Sequence, residues 1–405
     1  MASNICSRVL GVFFEYDTPK IVHIRSKKVG VINRFLQLCI IGYVIGYAII
    51  FKKGYQEFDN VRGAVTTKLK GVARTDNFTS GEDFRIWDVS DYVVPPQENG
   101  AFFVTTNYIV TDGQQIATCE EDLKIPGVNC TDDPNICVKG KAIMLGNGFM
   151  TGKCIESVRH PGNKACEIEA WCPTEDGFTK APNPAALDIA RDFTVFIKNN
   201  IEFPKFGVKR RNIPKSINNQ TYLQNCRFDF GNNKLCPVFK LETIVGATGD
   251  NSDFENIAVQ GGVIQIIINW DCNLDYNVED CVPEYMFRRL DSADEVVSPG
   301  YNFRYSHYYR DINGTEKRTL FKAYGIKFIL TVQGTGGKFN VMPLALNIGS
   351  GLAILSVATI LCDIIVLYVL KAKNLYRQKK YLEVVSDDAY KDLKEETEPN
   401  DSSIH

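Results

Sequence analysis

Five cations stand out by where they fall. Lys68 and Lys70 lie in TTKLKG, Lys198 in FTVFIKNN, Arg304 in YNFRY and Lys322 in TLFKAYG. Residues two apart in a strand point to one face, so Lys68 and Lys70 would stand side by side. A single lysine on a strand is ordinarily a solvated charge. Several cations converging from separate elements can neutralise a polyphosphate, whose charge of about four needs more than one partner. Other chemical motifs fail on their context. Asp229-Phe230-Gly231 spells a kinase tripeptide, but no Gly-rich loop or HRD-type segment accompanies it. Gly334 to Lys338 (GTGGK) lacks the Walker spacing and a following Ser or Thr. His23, His160, His307 and His405 are scattered, with no HExxH, and no G-x-S-x-G elbow occurs. No enzyme activity, metal site or resident cofactor is expected.

The elements that must hold these cations are bounded by two apolar runs. Residues 35–51 carry no charge and are bracketed by Arg34 and Lys52. As a helix this run spans roughly 25 Å, a little short of the ~30 Å hydrocarbon layer, and the flanking cations can snorkel to close the gap. It starts too late for a signal peptide, and Lys52 and Lys53 stand where a small-residue cleavage site would be. Residues 341–370 form a second run with one charge, Asp363. A straight helix of that length reaches about 45 Å, so it must tilt, kink or extend beyond the bilayer. Gly349-Ser350-Gly351 is the expected break. Gly349 and Ala353, four apart, would let neighbouring helices approach. Arg25, Lys27, Lys28 and Arg34 precede the first run, and Lys371, Lys373, Arg377, Lys379 and Lys380 follow the second. The positive-inside rule then places both termini in the cytoplasm. The expected division is 1–34 cytoplasmic tail, 35–51 transmembrane helix 1, 52–340 extracellular domain, 341–370 transmembrane helix 2 and 371–405 cytoplasmic tail. The acidic stretch from residue 383 onward is expected to be disordered.

Composition agrees. With 405 residues, 44% hydrophobic, 23% charged and a net charge of -2, the chain is neither disordered nor a many-span membrane protein. It lacks the basic excess of a nucleic-acid binder. Ten of the 13 cysteines lie between the two runs, an even number on one side of a membrane. That is a disulfide framework in an oxidising compartment. A zinc site would need CxxC pairs, and none occurs. Asn77, Asn129, Asn219 and Asn313 begin glycosylation sequons in the same region, Asn129 being the weakest because Cys130 follows it. A sequon at Asn400 falls in the cytoplasmic tail and should be silent. Residues 102–110, 193–201, 261–270 and 326–334 are rich in β-branched and aromatic residues and read as strands.

Longer stretches carry a resemblance. FEYDTPKIV, RSKKVG, VTTKLKGVA, WDVSDYVVPPQ, CEIEAWCP, FTVFIKNNI, GGVIQIIINWDCNLD, SPGYNFR, RTLFKAYGIKF and NIGSGLAILSVATILCDIIVLY run through nearly the whole chain. They resemble the P2X purinoceptors, the ATP-gated cation channels, and within them subtype four. The resemblance implies a fold of two transmembrane α-helices flanking a large β-rich, disulfide-stabilised extracellular domain, assembled as a homotrimer or as a heterotrimer with related subunits. It implies ATP as agonist at each subunit interface, with Na+, K+ and Ca2+ permeant. Lys68, Lys70, Arg304 and Lys322 would hold the phosphates with Asn302 assisting. Thr194 would hydrogen-bond adenine, and Phe196 would pack near ribose or base. The role of Lys198 is less defined. The implied disulfides are Cys119–Cys172, Cys130–Cys154, Cys137–Cys166, Cys226–Cys236 and Cys272–Cys281. Two positions depart from the family: Lys327-Phe328-Ile329 stands where Arg-Phe-Asp is common, and Phe321 replaces an aliphatic residue. Both bear on agonist sensitivity rather than agonist identity.

Two helices cannot enclose a water-filled path, so a channel needs several subunits. Leu346, Asn347, Ser350 and Ala353 are expected on one face of the second helix, where the resemblance puts the gate, closed by packing and dewetting. Asp363 is either functional or a structural bond to a neighbouring helix. Glu57 and Asp59 lie just outside the first run, where the resemblance implies a lateral entry route and carboxylates would concentrate cations; the alternative is an ordinary solvated turn. Thr18 in Thr18-Pro19-Lys20 matches a phosphosite of the family, Tyr376 to Lys380 a surface-retention signal, and Tyr390 to Leu393 a common endocytic pattern. The location implied is the plasma membrane, with an endosomal or lysosomal pool. Two rival readings are an ecto-nucleotidase, which would need DxG[S/T] loops, and a two-span channel gated by protons or peptides. The only DxG here, Asp229-Phe230-Gly231, is followed by Asn232.

Overall fold

The structure is a computed structural model that describes residues 27–76, 84–249, 253–292, 299–369 and 373–374. It divides into two compact units, residues 1–57 with 339–405, and residues 58–338.

The first unit holds two long apolar helices. One is α-helical over Lys27–Gly42 and continues through a π-helical stretch, Tyr43–Phe51. It therefore begins earlier than the uncharged run at 35–51. Only Gly30 opposes helix formation in the added segment, at a cost of about 1 kcal/mol. The other helix covers Val341–Ile364, and its N-terminus is capped by the Asn340 side chain, which accepts from the Met342 N–H at 2.9 Å. Both are long and apolar enough to cross a membrane.

The break expected at Gly349-Ser350-Gly351 does not occur. The helix runs unbroken through these residues, and the change in winding falls at Ile365–Val369. The role of Gly351 is close approach instead. A Cβ there would lie 2.7 Å from Val44 Cγ1 on the first helix, whereas nothing lies within 4 Å of a Cβ on Gly349. The small residue that lets these two helices meet is thus Gly351, not Gly349. Asp363 is half-buried and is not isolated.

Among the described residues the strands are β1 Gln56–Asn60, β2 Arg62–Lys70, β3 Ala73–Asp76, β4 Phe84–Trp87, β5 Ala101–Glu120, β6 Phe149–Glu156, β7 Lys164–Cys172 and β8 Thr194–Phe203, then β9 Val208–Arg211, β10 Val238–Lys240, β11 Gly262–Asn269, β12 Cys272–Asn273, β13 Glu284–Arg289, β14 Asn302–Arg310, β15 Glu316–Gln333 and β16 Thr335–Phe339. The four strand-like runs of the sequence fall in β5, β8, β11 and β15. In the second unit, one sheet has the order β13-β11-β15-β5-β7-β6, with β14 also paired to β15. A second has the order β10-β8-β2, with β9 also paired to β8. Of the strand pairs in the first sheet only β11 with β15 is parallel.

Trp87, Tyr92, Phe203, Phe239, Trp270 and Phe328 are fully buried between these elements. Each such side chain contributes ~1.5–3 kcal/mol by leaving water. The one polar atom of Trp270 is satisfied, since Nε1 donates to Asn199 Oδ1 at 2.7 Å. All five disulfides implied by the resemblance are formed: Cys119–Cys172, Cys130–Cys154, Cys137–Cys166, Cys226–Cys236 and Cys272–Cys281. The first three tie the smaller β6–β7 end, whose own apolar cluster is short of large side chains. Each bridge adds ~2–4 kcal/mol, mainly by restricting the unfolded chain.

Candidate functional site

Strand register builds the site. β2 and β8 are antiparallel, with Lys70 opposite Thr194 and Lys68 opposite Phe196. Directly opposed residues share a face, and the alternation in Lys68-Leu69-Lys70 and Thr194-Val195-Phe196 sends Leu69 and Val195 into the core. Two ammonium groups, a hydroxyl and an aromatic ring are left on the outer face. Lys198 stands on the same face opposite Thr66 and is exposed. Lys68, Lys70 and Lys198 make no ion pair among the described residues. β10 extends the first row by placing Lys240 opposite Thr194. The sequence reading missed Lys240, and it is already engaged, 2.8 Å from Asp192 and 2.7 Å from Glu242. Hydrogen bonds to those two carboxylates push its pKa up.

The second set of cations lies on β14 and β15, where Arg304 is opposite Lys322 and Asn302 opposite Tyr324. Both cations converge on Glu175. Arg304 donates from Nε to Glu175 Oε2 at 2.5 Å and from Nη2 to Oε1 at 3.0 Å, a bidentate pair. Lys322 Nζ is 3.3 Å from Oε1. The Glu175 side chain is 11% exposed, against 50% for Arg304 and 18% for Lys322. Burial works to raise the Glu175 carboxyl, but the Arg304 guanidinium and then the Lys322 ammonium outweigh it and hold it below the usual carboxylate range. The hydrogen bond to Glu175 in turn raises Arg304. Lys322 also lies over the Tyr324 ring, 5.4 Å from its centroid. Glu175 follows closely on Cys172, whose bridge to Cys119 anchors that segment. Sequence reasoning missed it because nothing in CPTED marks one carboxylate above its neighbour.

The two sets stand on different sheets, and among the described residues no hydrogen bond or ion pair joins them. One protomer offers two half-sites for an anion. In the first, Lys68, Lys70 and Lys198 have no ion pair among the described residues, while Lys240 is held by Asp192 and Glu242. In the second the cations already grip a carboxylate.

The departures lie beside the second half-site. Phe321 is buried and stacks on Tyr305 with centroids 5.1 Å apart, so it points away from the side where Lys322 meets Glu175. Lys327 pairs with Glu98, from the loop before β5, at 2.6 Å. That hydrogen bond pushes the Lys327 pKa up.

On the second helix Leu346, Ser350 and Ala353 are exposed and fall within about 60° of one another. Asn347 does not share that strip, because one residue is about 100° of helix. Its amide instead donates to the Gly54 carbonyl at 2.7 Å and to the Pro343 carbonyl at 3.0 Å. The expectation of a single face holding all four is corrected to three. Glu57 accepts from Asn340 Nδ2 at 2.6 Å. Asp59 accepts from the Lys205 backbone N–H at 2.7 Å, and Lys205 Nζ donates to the Phe58 carbonyl at 3.2 Å. Asn129, Asn219 and Asn313 are exposed. Thr18, Asn77, Tyr376 to Lys380, Tyr390 to Leu393 and Asn400 lie outside the described residues.

Comparison with known proteins gives the family of the chain. The profile of the ATP P2X receptor family matches residues 14–383. P2X purinoceptor 4 of Bos taurus is 49% identical over 381 residues, covering 93% of this chain and 95% of the relative. P2X purinoceptor 4 of Mus musculus is 50% identical with the same coverage. The crystal structure of an invertebrate P2X receptor from the Gulf Coast tick, determined in the presence of ATP and zinc, is 46% identical. It covers 83% of this chain and 100% of its own, with a TM-score of 0.76. The chicken ATP-gated P2X7 receptor channel, in the presence of the competitive antagonist TNP-ATP, is 38% identical with a TM-score of 0.71, covering 82% of this chain and 98% of its own. The chain belongs to the ATP P2X receptor family, the trimeric ATP-gated cation channels.

Proposed function

We propose that this chain forms a homotrimer in the plasma membrane, both termini cytoplasmic, and that extracellular ATP bridges the two half-sites of neighbouring protomers. Lys68 and Lys70 of one protomer and Arg304 and Lys322 of the next hold the triphosphate. Asn302 assists, while Thr194 and Phe196 meet the adenosine. The observation that carries this reading is the separation of the half-sites within one chain, each with too few cations for a triphosphate on its own. Na+, K+ and Ca2+ permeate the open pore, past Glu57 and Asp59 and through the strip of Leu346, Ser350 and Ala353.

The mechanism is a population shift. ATP binds the closed-up arrangement of the half-sites more tightly, and only that difference in affinity moves the gate. Arg304 must exchange its bidentate carboxylate partner for a phosphate, so Glu175 opposes binding in the resting state. The test is Lys70→Ala and Lys322→Ala in expressing cells. Both variants should reach the surface as trimers and lose nearly all ATP-evoked current. Currents like those of the unaltered chain at low ATP would overturn the assignment. Acid perfusion without ATP, and phosphate release by purified protein, are the readouts that would favour a proton-gated channel or a nucleotidase instead.

A further inference from the structure

The sheet face that carries Lys68 and Lys70 continues past Lys198. Ala64 is opposite Asn200, which is opposite Arg211 on β9, and Arg62 is opposite Glu202, which is opposite Lys209. Side chains two apart along a strand share a face, so Arg62, Lys209 and Arg211 stand on the same side as Lys68. At about 3.3 Å per residue, Ala64 and Arg62 lie roughly 13 and 20 Å along β2 from Lys68. There the face forms a groove of about 1010 Å³. Ala64 and Asn200 are too short to fill it.

Five cations and three carboxylates line the groove. Several are already engaged. Lys209 is 3.8 Å from Glu202, and Lys215 is 3.8 Å from Glu279. Arg210 donates to the Cys281 carbonyl at 3.2 Å and the Glu279 carbonyl at 2.9 Å. Arg62 and Arg211 make no hydrogen bond or ion pair among the described residues. Two unpaired guanidinium groups therefore flank a floor of small side chains. Their planar forks match the oxygens of phosphate or sulfate. No aromatic ring lines the groove, so nothing there would stack a base.

We propose that this groove is a second anion site, apart from the ATP half-sites, and that it takes a multivalent phosphate or sulfate oxyanion without a base. Arg62, Lys209, Arg211 and Lys215 are exposed in the protomer, so binding weakens steeply with ionic strength.

The test uses the full-length trimer purified in detergent, with Lys70→Ala and Lys322→Ala introduced so that the ATP half-sites contribute little. Tripolyphosphate and sucrose octasulfate are titrated separately by calorimetry at low salt. Saturable binding of at least one is expected, and the tighter of the two identifies the oxyanion. Adding Arg62→Gln or Arg211→Gln should weaken it roughly tenfold or more for each arginine removed. Glu202→Gln should tighten it several-fold, because the carboxylate that competes for Lys209 is gone, a direction that damage to the fold would not produce. Neither anion binding, binding indifferent to the two arginines, or no gain with Glu202→Gln would each overturn the site.

Discussion

Glu175→Gln tests the resting-state exchange at Arg304. The carboxylate holds Arg304 in two hydrogen bonds and Lys322 in one ion pair, and at the proposed site an incoming phosphate would have to displace it. Glutamine keeps the shape and removes the charge. A charge-assisted hydrogen bond is worth ~1.5–3 kcal/mol when shielded, but Arg304 is half exposed, so the contribution is discounted to about 1–2 kcal/mol. That predicts an ATP affinity about 5- to 30-fold higher in the variant. The assay is equilibrium binding of ATP to purified trimers, with concentration–response currents alongside. Binding should tighten, and the current curve should move left in the same sense. Unchanged or weaker binding by correctly assembled Glu175→Gln would show that the carboxylate positions Arg304 for ATP rather than competing with it, and the exchange argument would fail.

Further outcomes follow from the same geometry. Glu175 has its carboxyl held below the usual range, so its pairing is complete above the unfolded-state value and is lost only as pH falls through the lower folded-state value. The ratio of ATP affinities between Glu175→Gln and the unaltered chain should therefore stay constant between pH 8 and about 5.5, read by binding at each pH. Gly351→Val should lower the surface yield of assembled channel through overpacking against Val44, by ~1–3 kcal/mol, as measured by surface labelling and a thermal shift. Asn347→Leu should remove the tie to the Gly54 carbonyl and lower the melting temperature, a cost of about 1 kcal/mol. An unchanged melting temperature would show that this bond adds nothing.

The parts legible in the sequence were those written in local pattern. The spacing of Lys68 and Lys70 puts both charges on one face if the segment is a strand, and the segment is strand β2. The uncharged runs announced the helices. Their limits were less legible: Lys27 to Arg34 is polar enough to read as tail, yet nothing in it stops a helix. Gly349-Ser350-Gly351 misled because glycine weakens an isolated helix, whereas here Gly351 serves a contact with Val44 that only the paired helices reveal. Asn347 was misplaced by counting spacings without converting them to angles. Glu175 and Lys240 were invisible for a different reason. Their importance lies in what faces them across the fold, Arg304 and Lys322 for one, Asp192 and Glu242 for the other.

On the proposed mechanism, chain connectivity would carry a grip on phosphate toward a pore without a dedicated lever. Lys322 stands within β15, an 18-residue strand, and Gly334 and β16 follow it before the second long helix begins at Val341. Lys68 and Lys70 end β2, which β1 and the first helix precede in the chain. Extended backbone has little slack, since its rise is already ~3.3 Å per residue. Strands held on both sides in a sheet bend less readily than they shift together, so on the proposed mechanism a displacement at the cations would pass along the chain. Glycine at Gly334, with φ of 133°, is the one position on the β15 path where the backbone takes a conformation other residues rarely adopt. On the proposed mechanism, a movement of Lys322 would pass through Gly334 before it reaches the helix.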